Sequence, residues 1–126
     1  MPKEAFFSDR APNPAGPYSH AVRAGDLVFV AGQGPHDKLS ATTPAGFEDQ
    51  ARQVFRNIAA ILEAAGASMD DVVRTNVYLQ DLANFQTLNS VYREFFHEPF
   101  PVRTTVQAGL NKIEIEVDVI AYAPRA

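Results

Sequence analysis

The clearest periodicity in the chain runs from Phe47 to Ala65, where Phe47, Ala51, Val54, Phe55, Ile58, Ile61, Leu62 and Ala65 recur at three- and four-residue spacing. That spacing gathers them on one face of an amphipathic helix, which Gly66 is placed to end. A second stripe, Phe85, Leu88, Val91, Tyr92, Phe95 and Phe96, predicts a second helix, capped by Asp81 or Asn84 and stopped before Pro99. Between the two, Ser68-Met-Asp-Asp71 has the form of a capping box opening a short turn. Val72 to Leu79 then alternates, with Val73, Thr75, Val77 and Leu79 on one side and Arg74, Asn76 and Tyr78 on the other. Period two with one apolar side predicts a strand lying on a core.

Both ends of the chain add strands. Residues 8 to 17 hold three prolines and Gly16, and read as an irregular arm. From about Ser19 a strand leads through a hairpin at Gly25-Asp26 into Leu27-Val-Phe-Val-Ala31, whose unbroken apolar run fits a strand covered on both faces. Residues 32 to 46, with Gly32, Gly34, Pro35, Pro44 and Gly46, predict a long loop of the kind that tends to serve function. Two last strands are expected at about 102 to 107 and 112 to 122, joined as a hairpin by a turn with Gly109 and Asn111, and a short extra strand at Glu4 to Phe7. The result is an α+β sandwich with both helices on one face of the sheet. The other face carries Arg74, Asn76, Tyr78, Glu114, Glu116 and Asp118. The runs Leu27 to Ala31 and Val119 to Tyr122 lose their alternation, so part of that face should be buried too. An oligomer whose sheets face one another follows, closed and symmetric.

Composition narrows the function. A length of 126 residues suits one domain, residues 1–126. The net charge of -4 arises from 15 acidic against 11 basic residues, the latter scattered singly, so neither nucleic acid nor a membrane is an expected partner. The absence of cysteine removes disulfides and thiolate chemistry. No secretory signal opens the chain and nowhere do about eighteen apolar residues run together, which predicts a cytoplasmic protein. The three histidines, His20, His36 and His97, lack paired metal-ligand spacing, and neither a Gly-rich phosphate loop nor a Gly-x-Ser-x-Gly motif is present. No metal and no cofactor are expected.

What remains is Pro101-Val-Arg-Thr-Thr-Val106, followed by a strand whose Glu114, Glu116 and Asp118 are two apart and share a face. In a hairpin, Arg103 would lie near that row. Its guanidinium could grip a substrate carboxylate while a neighbouring acid orients water; the same residues could equally form a structural salt bridge, with Arg74 as a further partner.

Four stretches taken in order, Ala15-Gly-Pro-Tyr-Ser-His-Ala-Val22, Phe29-Val-Ala-Gly-Gln33, Asn89-Ser-Val-Tyr-Arg-Glu-Phe-Phe96 and Pro101-Val-Arg-Thr-Thr-Val106 with Ile115-Glu-Val-Asp-Val-Ile-Ala121, resemble the Rid/YjgF family of reactive-intermediate deaminases. The resemblance implies a chorismate-mutase-like homotrimer with active sites in clefts between subunits. It implies hydrolysis of 2-aminoacrylate and 2-imino acids to 2-keto acids and ammonia. Arg103 would bind the substrate carboxylate and Glu116 position water, with Glu114 as the competing match because the turn before it is short. Tyr18, Gly32 and Asn89 would line the pocket. Thr105, where one branch of the family has cysteine, would offer backbone groups. His36 reads as a solvated loop residue. Two other readings stay open: a non-catalytic regulatory trimer that binds a 2-keto acid, and a deaminase of a larger enamine such as 2-aminomuconate.

Overall fold

In the computed structural model, which describes residues 2–125, both apolar stripes form helices. Helix α1 (Phe47–Ala64) buries Ala51, Val54, Phe55, Ile58, Ile61 and Leu62, and α2 (Phe85–Phe95) buries Leu88, Val91 and Tyr92. Gly66, at φ 82°, ends α1. The Gly66 N–H returns to Glu63 O and the Ala67 N–H to Leu62 O, which satisfies two terminal carbonyls in a Schellman turn. Ser68 and Asp71 close the expected capping box, the Ser68 backbone N–H donating to the Asp71 carboxylate at 2.9 Å. Asp81 caps a short 3-10 turn ahead of α2, accepting from the Ala83 N–H at 2.8 Å.

The strands are β1 (Glu4–Phe6), β2 (Ala21–Ala24), β3 (Leu27–Gln33), β4 (Val72–Leu79), β5 (Val102–Gln107) and β6 (Ile115–Tyr122). They form one sheet in the order β1-β2-β3-β6-β4-β5, antiparallel throughout except for the parallel pair β4–β5. Both helices lie on one face, over Val28, Val30, Val77, Leu79, Ile115, Val117, Val119 and Ala121. Across the other face, register rows run Phe29–Ile120–Arg74–Val102, Asp118–Asn76–Thr104 and Glu116–Tyr78–Val106. In the single chain Leu27, Phe29, Val102 and Tyr122 stand exposed there, and burial along β3 alternates up to Val30.

Four expectations need correction. The last two strands are not a hairpin: β4 lies between them. The chain from β4 through α2 into β5 is a strand–helix–strand crossover, which makes β5 a parallel edge strand, and β6 then returns to fill the gap between β3 and β4. Residues 108–114 are a connection wrapped around the end of β4, held by Ala108 N–H to Leu79 O and Gln80 N–H to Glu114 O; β6 starts at Ile115, not 112. Val73 does not face the core. A bulge between Val72 and Arg74 turns it outward, 45% exposed, and Val72 takes the buried place. Finally, the loop expected at 32 begins later, because Gly32 and Gln33 belong to β3. No helix among the described residues is long and apolar enough to cross a membrane.

Candidate active site

Arg103 is the second residue of β5, and its register partner on β4 is Thr75. Cross-strand partners share a face. Thr75 is fully buried on the helix side, hydrogen-bonded through Oγ1 to Tyr92 Oη at 2.8 Å. Arg103 therefore emerges beneath α2, not beside the acids of β6. Its Nη2 donates to Asn89 Oδ1 at 2.8 Å, and its guanidinium carbon lies 4.8 Å from the Tyr92 ring centroid and 5.4 Å from that of Phe85. The rings fix the guanidinium plane, and one bond to Asn89 leaves donors over for a ligand. Among the described residues no salt bridge includes Arg103, so the structural ion-pair reading does not hold. A pocket of about 180 Å³ opens here, between Asn89, Tyr92, Arg93, Phe100, Pro101 and Arg103. Thr105 follows on the same face of β5, opposite Val77.

The acids lie on the other face. Asp118 accepts from Asn76 Nδ2 at 2.9 Å and from Tyr78 Oη at 3.0 Å, and this bond to a carboxylate holds the Tyr78 phenol above its ordinary range. Arg74, the suggested salt-bridge partner, donates to Thr104 Oγ1 instead. Asp118 is thus occupied. Glu116, opposite Tyr78, is pushed above the usual carboxylate range by burial first and by the Asp118 charge second. It lies against β3 at Gly32, inside an irregularity between Val30 and Gln33. A Cβ on Gly32 would stand 2.5 Å from Glu116 Oε2, so only glycine lets the carboxylate rest on that backbone. Glu114 precedes β6, and its backbone N–H is held by Gln50 Oε1 at 2.8 Å. Of the two competing acids, Glu116 is the one seated at Gly32.

Tyr18 and Gly32 line one hollow, also of about 180 Å³, walled by residues 12–15 of the arm and by Gly34 to His36. Tyr18 Oη accepts from the Ala15 N–H at 3.0 Å. His36 Nδ1 is paired with Thr43 Oγ1 at 3.2 Å, within the loop. Sequence reasoning missed the groups that hold these walls. His20, 1% exposed, accepts from the Ser8 N–H through Nδ1 at 3.0 Å and reaches Pro12 O through Nε2 at 2.6 Å, which pins the arm. Asn57 Nδ2 donates to Gly34 O and His36 O, and Gln50 Nε2 to Pro44 O. Amides on the buried face of α1 were the available signal, since a buried polar side chain needs a partner. Phe85 and Tyr92, assigned to the core stripe, turn out to present their rings to the Arg103 guanidinium.

The structure therefore joins Arg103 to Asn89 at one edge, with Thr105 further along the same face of β5, and sets Gly32 against Glu116 and beside the Tyr18 hollow at another place, but it does not bring the two groups together within one chain. Gly32 on β3 and Arg103 on β5 are three strand spacings apart, roughly 14 Å, and Arg103 and Glu116 leave the sheet on opposite faces.

The family model described as Endoribonuclease L-PSP matches residues 8–123. The chain is 46% identical over 123 residues to a RutC family protein of Pyrococcus horikoshii, covering 95% of this chain and 98% of that one. It is 41% identical over 124 residues to a 2-iminobutanoate/2-iminopropanoate deaminase of Dermatophagoides farinae, covering 94% and 97%. Among solved structures, RidA from the Antarctic bacterium Psychrobacter sp. superposes with a TM-score of 0.90 at 43% identity over 94% of this chain and 98% of that one. Escherichia coli TdcF with bound serine gives 0.89 at 38% identity over 98% and 99%. By sequence along nearly its whole length and by fold, the chain belongs to the Rid/YjgF family.

Proposed function

We propose that this protein is a deaminase that hydrolyses 2-imino acids, and the enamines that tautomerise to them, in sites shared between the subunits of a homotrimer. The observation that carries the reading is the split site. A cation held open for a carboxylate and a carboxylate with a raised pKa lie on opposite faces of one sheet, so only a second copy can complete the pair. The open face, apolar at Leu27, Phe29 and Tyr122 and polar around Asp118, is the surface such copies would cover. The names of the relatives, deaminases of imines and of reactive intermediates, support the same chemistry.

In this reading Arg103 binds the substrate carboxylate with the donors that Asn89 leaves free. The neighbouring subunit brings Glu116, Gly32 and Tyr18 to the imine end, and backbone groups near Gly32 and Thr105 hold the nitrogen. Water adds to the imine carbon while Glu116 takes one of its protons. That proton passes to nitrogen to give the carbinolamine. Glu116 then carries the hydroxyl proton to nitrogen as the C–N bond breaks and the carbonyl forms, and ammonia and a 2-keto acid leave with Glu116 as it began. A carboxyl whose pKa is raised toward the working pH suits both halves of this transfer. Because the uncatalysed reaction is already spontaneous, holding the imine against an aligned water is sufficient catalysis.

The test uses 2-iminopropanoate generated in situ by an amino-acid oxidase, with keto acid and ammonia followed against the spontaneous rate. Wild type accelerates the reaction and Arg103→Ala does not. Binding of 2-oxobutanoate without any acceleration would instead favour a regulatory binder, a reading to which the serine held by TdcF lends some support.

A further inference from the structure

The pocket beside Arg103 has a second cation. Arg93 lies one helical turn after Asn89 on α2, and its Nη1 is 3.4 Å from Asn89 O, while Arg103 Nη2 is 2.8 Å from Asn89 Oδ1. The two guanidiniums therefore bond a single residue, and both arginines line the same pocket together with Tyr92 and Phe100. Its lining includes no carboxylate. The acid that follows Arg93 in sequence, Glu94, is held by Arg52 at 2.9 Å on the other side of the helix, against α1. Two like charges facing one small hollow repel each other, and an anion between them relieves that repulsion, more at the half-buried Arg103 than at Arg93, which is exposed and screened by water. A monocarboxylic imine neutralises one of the two and leaves the other unanswered.

We infer that Arg93 is a specificity residue, and that the preferred substrates are dicarboxylic 2-imino acids whose distal carboxylate sits on Arg93 while the 2-carboxylate sits on Arg103. This rests on the deaminase reading and narrows it. The reaction balances as before, since the distal carboxylate takes no part in water addition or C–N cleavage. Its contribution is orientation: a molecule anchored at both ends presents its imine carbon in one pose to the partner subunit's wall. The bland account of Arg93, a cation in the last turn of α2 favourable to the helix dipole, predicts no dependence on substrate charge.

The experiment compares 2-iminoglutarate, made by glutamate oxidase, with 2-iminobutanoate, in wild type, Arg93→Gln and Arg93→Lys. The expected result is a wild-type kcat/KM about tenfold or more in favour of the dicarboxylate, the scale of one charge-assisted hydrogen bond. Arg93→Gln should remove that preference and Arg93→Lys should keep part of it. An unchanged ratio of the two kcat/KM values in Arg93→Gln overturns the inference, as does a wild-type preference for the monocarboxylate. If neither imine is turned over, the deaminase reading fails, and calorimetry with 2-oxoglutarate and 2-oxobutanoate then decides the Arg93 site by itself. Tighter binding of 2-oxoglutarate, lost in Arg93→Gln, supports the second anchor; equal binding of the two keto acids, or no loss in the variant, overturns it.

Discussion

Two inactive variants should restore each other when mixed. If the site takes Arg103 from one protomer and Glu116 from the next, then Arg103→Ala and Glu116→Ala are each dead as pure assemblies, because every interface lacks one group. Co-expressed in equal amounts they assort at random. Half of the Arg103-bearing walls are then intact, half of the Glu116-bearing walls are intact, and the two fall together at about one quarter of interfaces in any closed ring. The mixed preparation should therefore recover about a quarter of the wild-type kcat per protomer, with an unchanged KM. Neither substitution reaches the core. Arg103→Ala gives up two ring contacts, worth about 0.5–1 kcal/mol each, and one bond to Asn89. Two distinguishable tags and native mass spectrometry establish that mixed assemblies have formed, and imine hydrolysis is then read on them. Activity that stays at background in proven mixed assemblies would refute the split site, because a site built within one chain can never be rescued by a neighbour.

Three further outcomes follow from single contacts. Gly32→Ala adds a methyl 2.5 Å from Glu116 Oε2, the far end of a flexible side chain, so the carboxylate moves and the fold does not; kcat/KM should fall about a hundredfold while the melting temperature barely changes. Glu116 has a folded pKa raised chiefly by burial, so its favourable contribution is present at low pH and is lost as pH rises through that raised value. Glu116→Gln should accordingly melt with wild type in acid, melt above it at pH 7 to 8, and hydrolyse no imine; equal melting curves at all pH values would contradict this. Arg23, 5% exposed, donates to Ala123 O at 2.7 Å and to Ala65 O at 3.2 Å, tying the C-terminal segment to the end of α1, although its Nε finds no partner among the described residues. Arg23→Met strands those carbonyls and should lower the unfolding free energy by about 2–3 kcal/mol in urea titrations.

Both helices, the Ser68–Asp71 box, the β2–β3 turn and the facing of β4 from Arg74 onward were legible in the sequence because each depends on residues close along the chain, whereas the bulge that turns Val73 outward left no mark in the alternation. The pairing of β5 was not, since periodicity reports which way a strand faces and says nothing about its neighbour. A hairpin is the simplest guess for two strands separated by a short connection. The order strand, helix, strand from Val72 to Gln107 nevertheless held the better clue: a crossover of that kind makes β5 parallel to β4 and leaves β6 to pair elsewhere. The error propagated to the site. It placed Arg103 beside Glu116 in one chain, where β4 in fact separates them and the sheet turns them apart. The glycine at 32 and the asparagine at 89 came from the family resemblance, not from any pattern of their own. Phe85 and Tyr92 looked like core residues, and Tyr92 is one, which is why its second task of holding Arg103 left no mark in the pattern.

The helix that supplies more core residues than any other single element also sets the geometry of the Glu116 side. Gln50 and Asn57 sit on the buried face of α1, where a polar side chain is costly unless fully bonded. Gln50 spends its amide on Pro44 O and the Glu114 N–H, and Asn57 on Gly34 O and His36 O. Each bond joins a rigid, fully packed element to an irregular one: the loop that walls the Tyr18 hollow, and the residue that leads into β6 two positions before Glu116. With His20 fixing the arm on the far side, three buried polar side chains convert an apolar core into a scaffold for loops with little packing of their own. On the opposite edge Arg103 is held by aromatic faces and a single amide. In the proposed reading, the half that aligns the water is thus built from hydrogen bonds to buried amides, and the half that binds the carboxylate from a cation set beside two rings, whose planar fork suits two parallel hydrogen bonds.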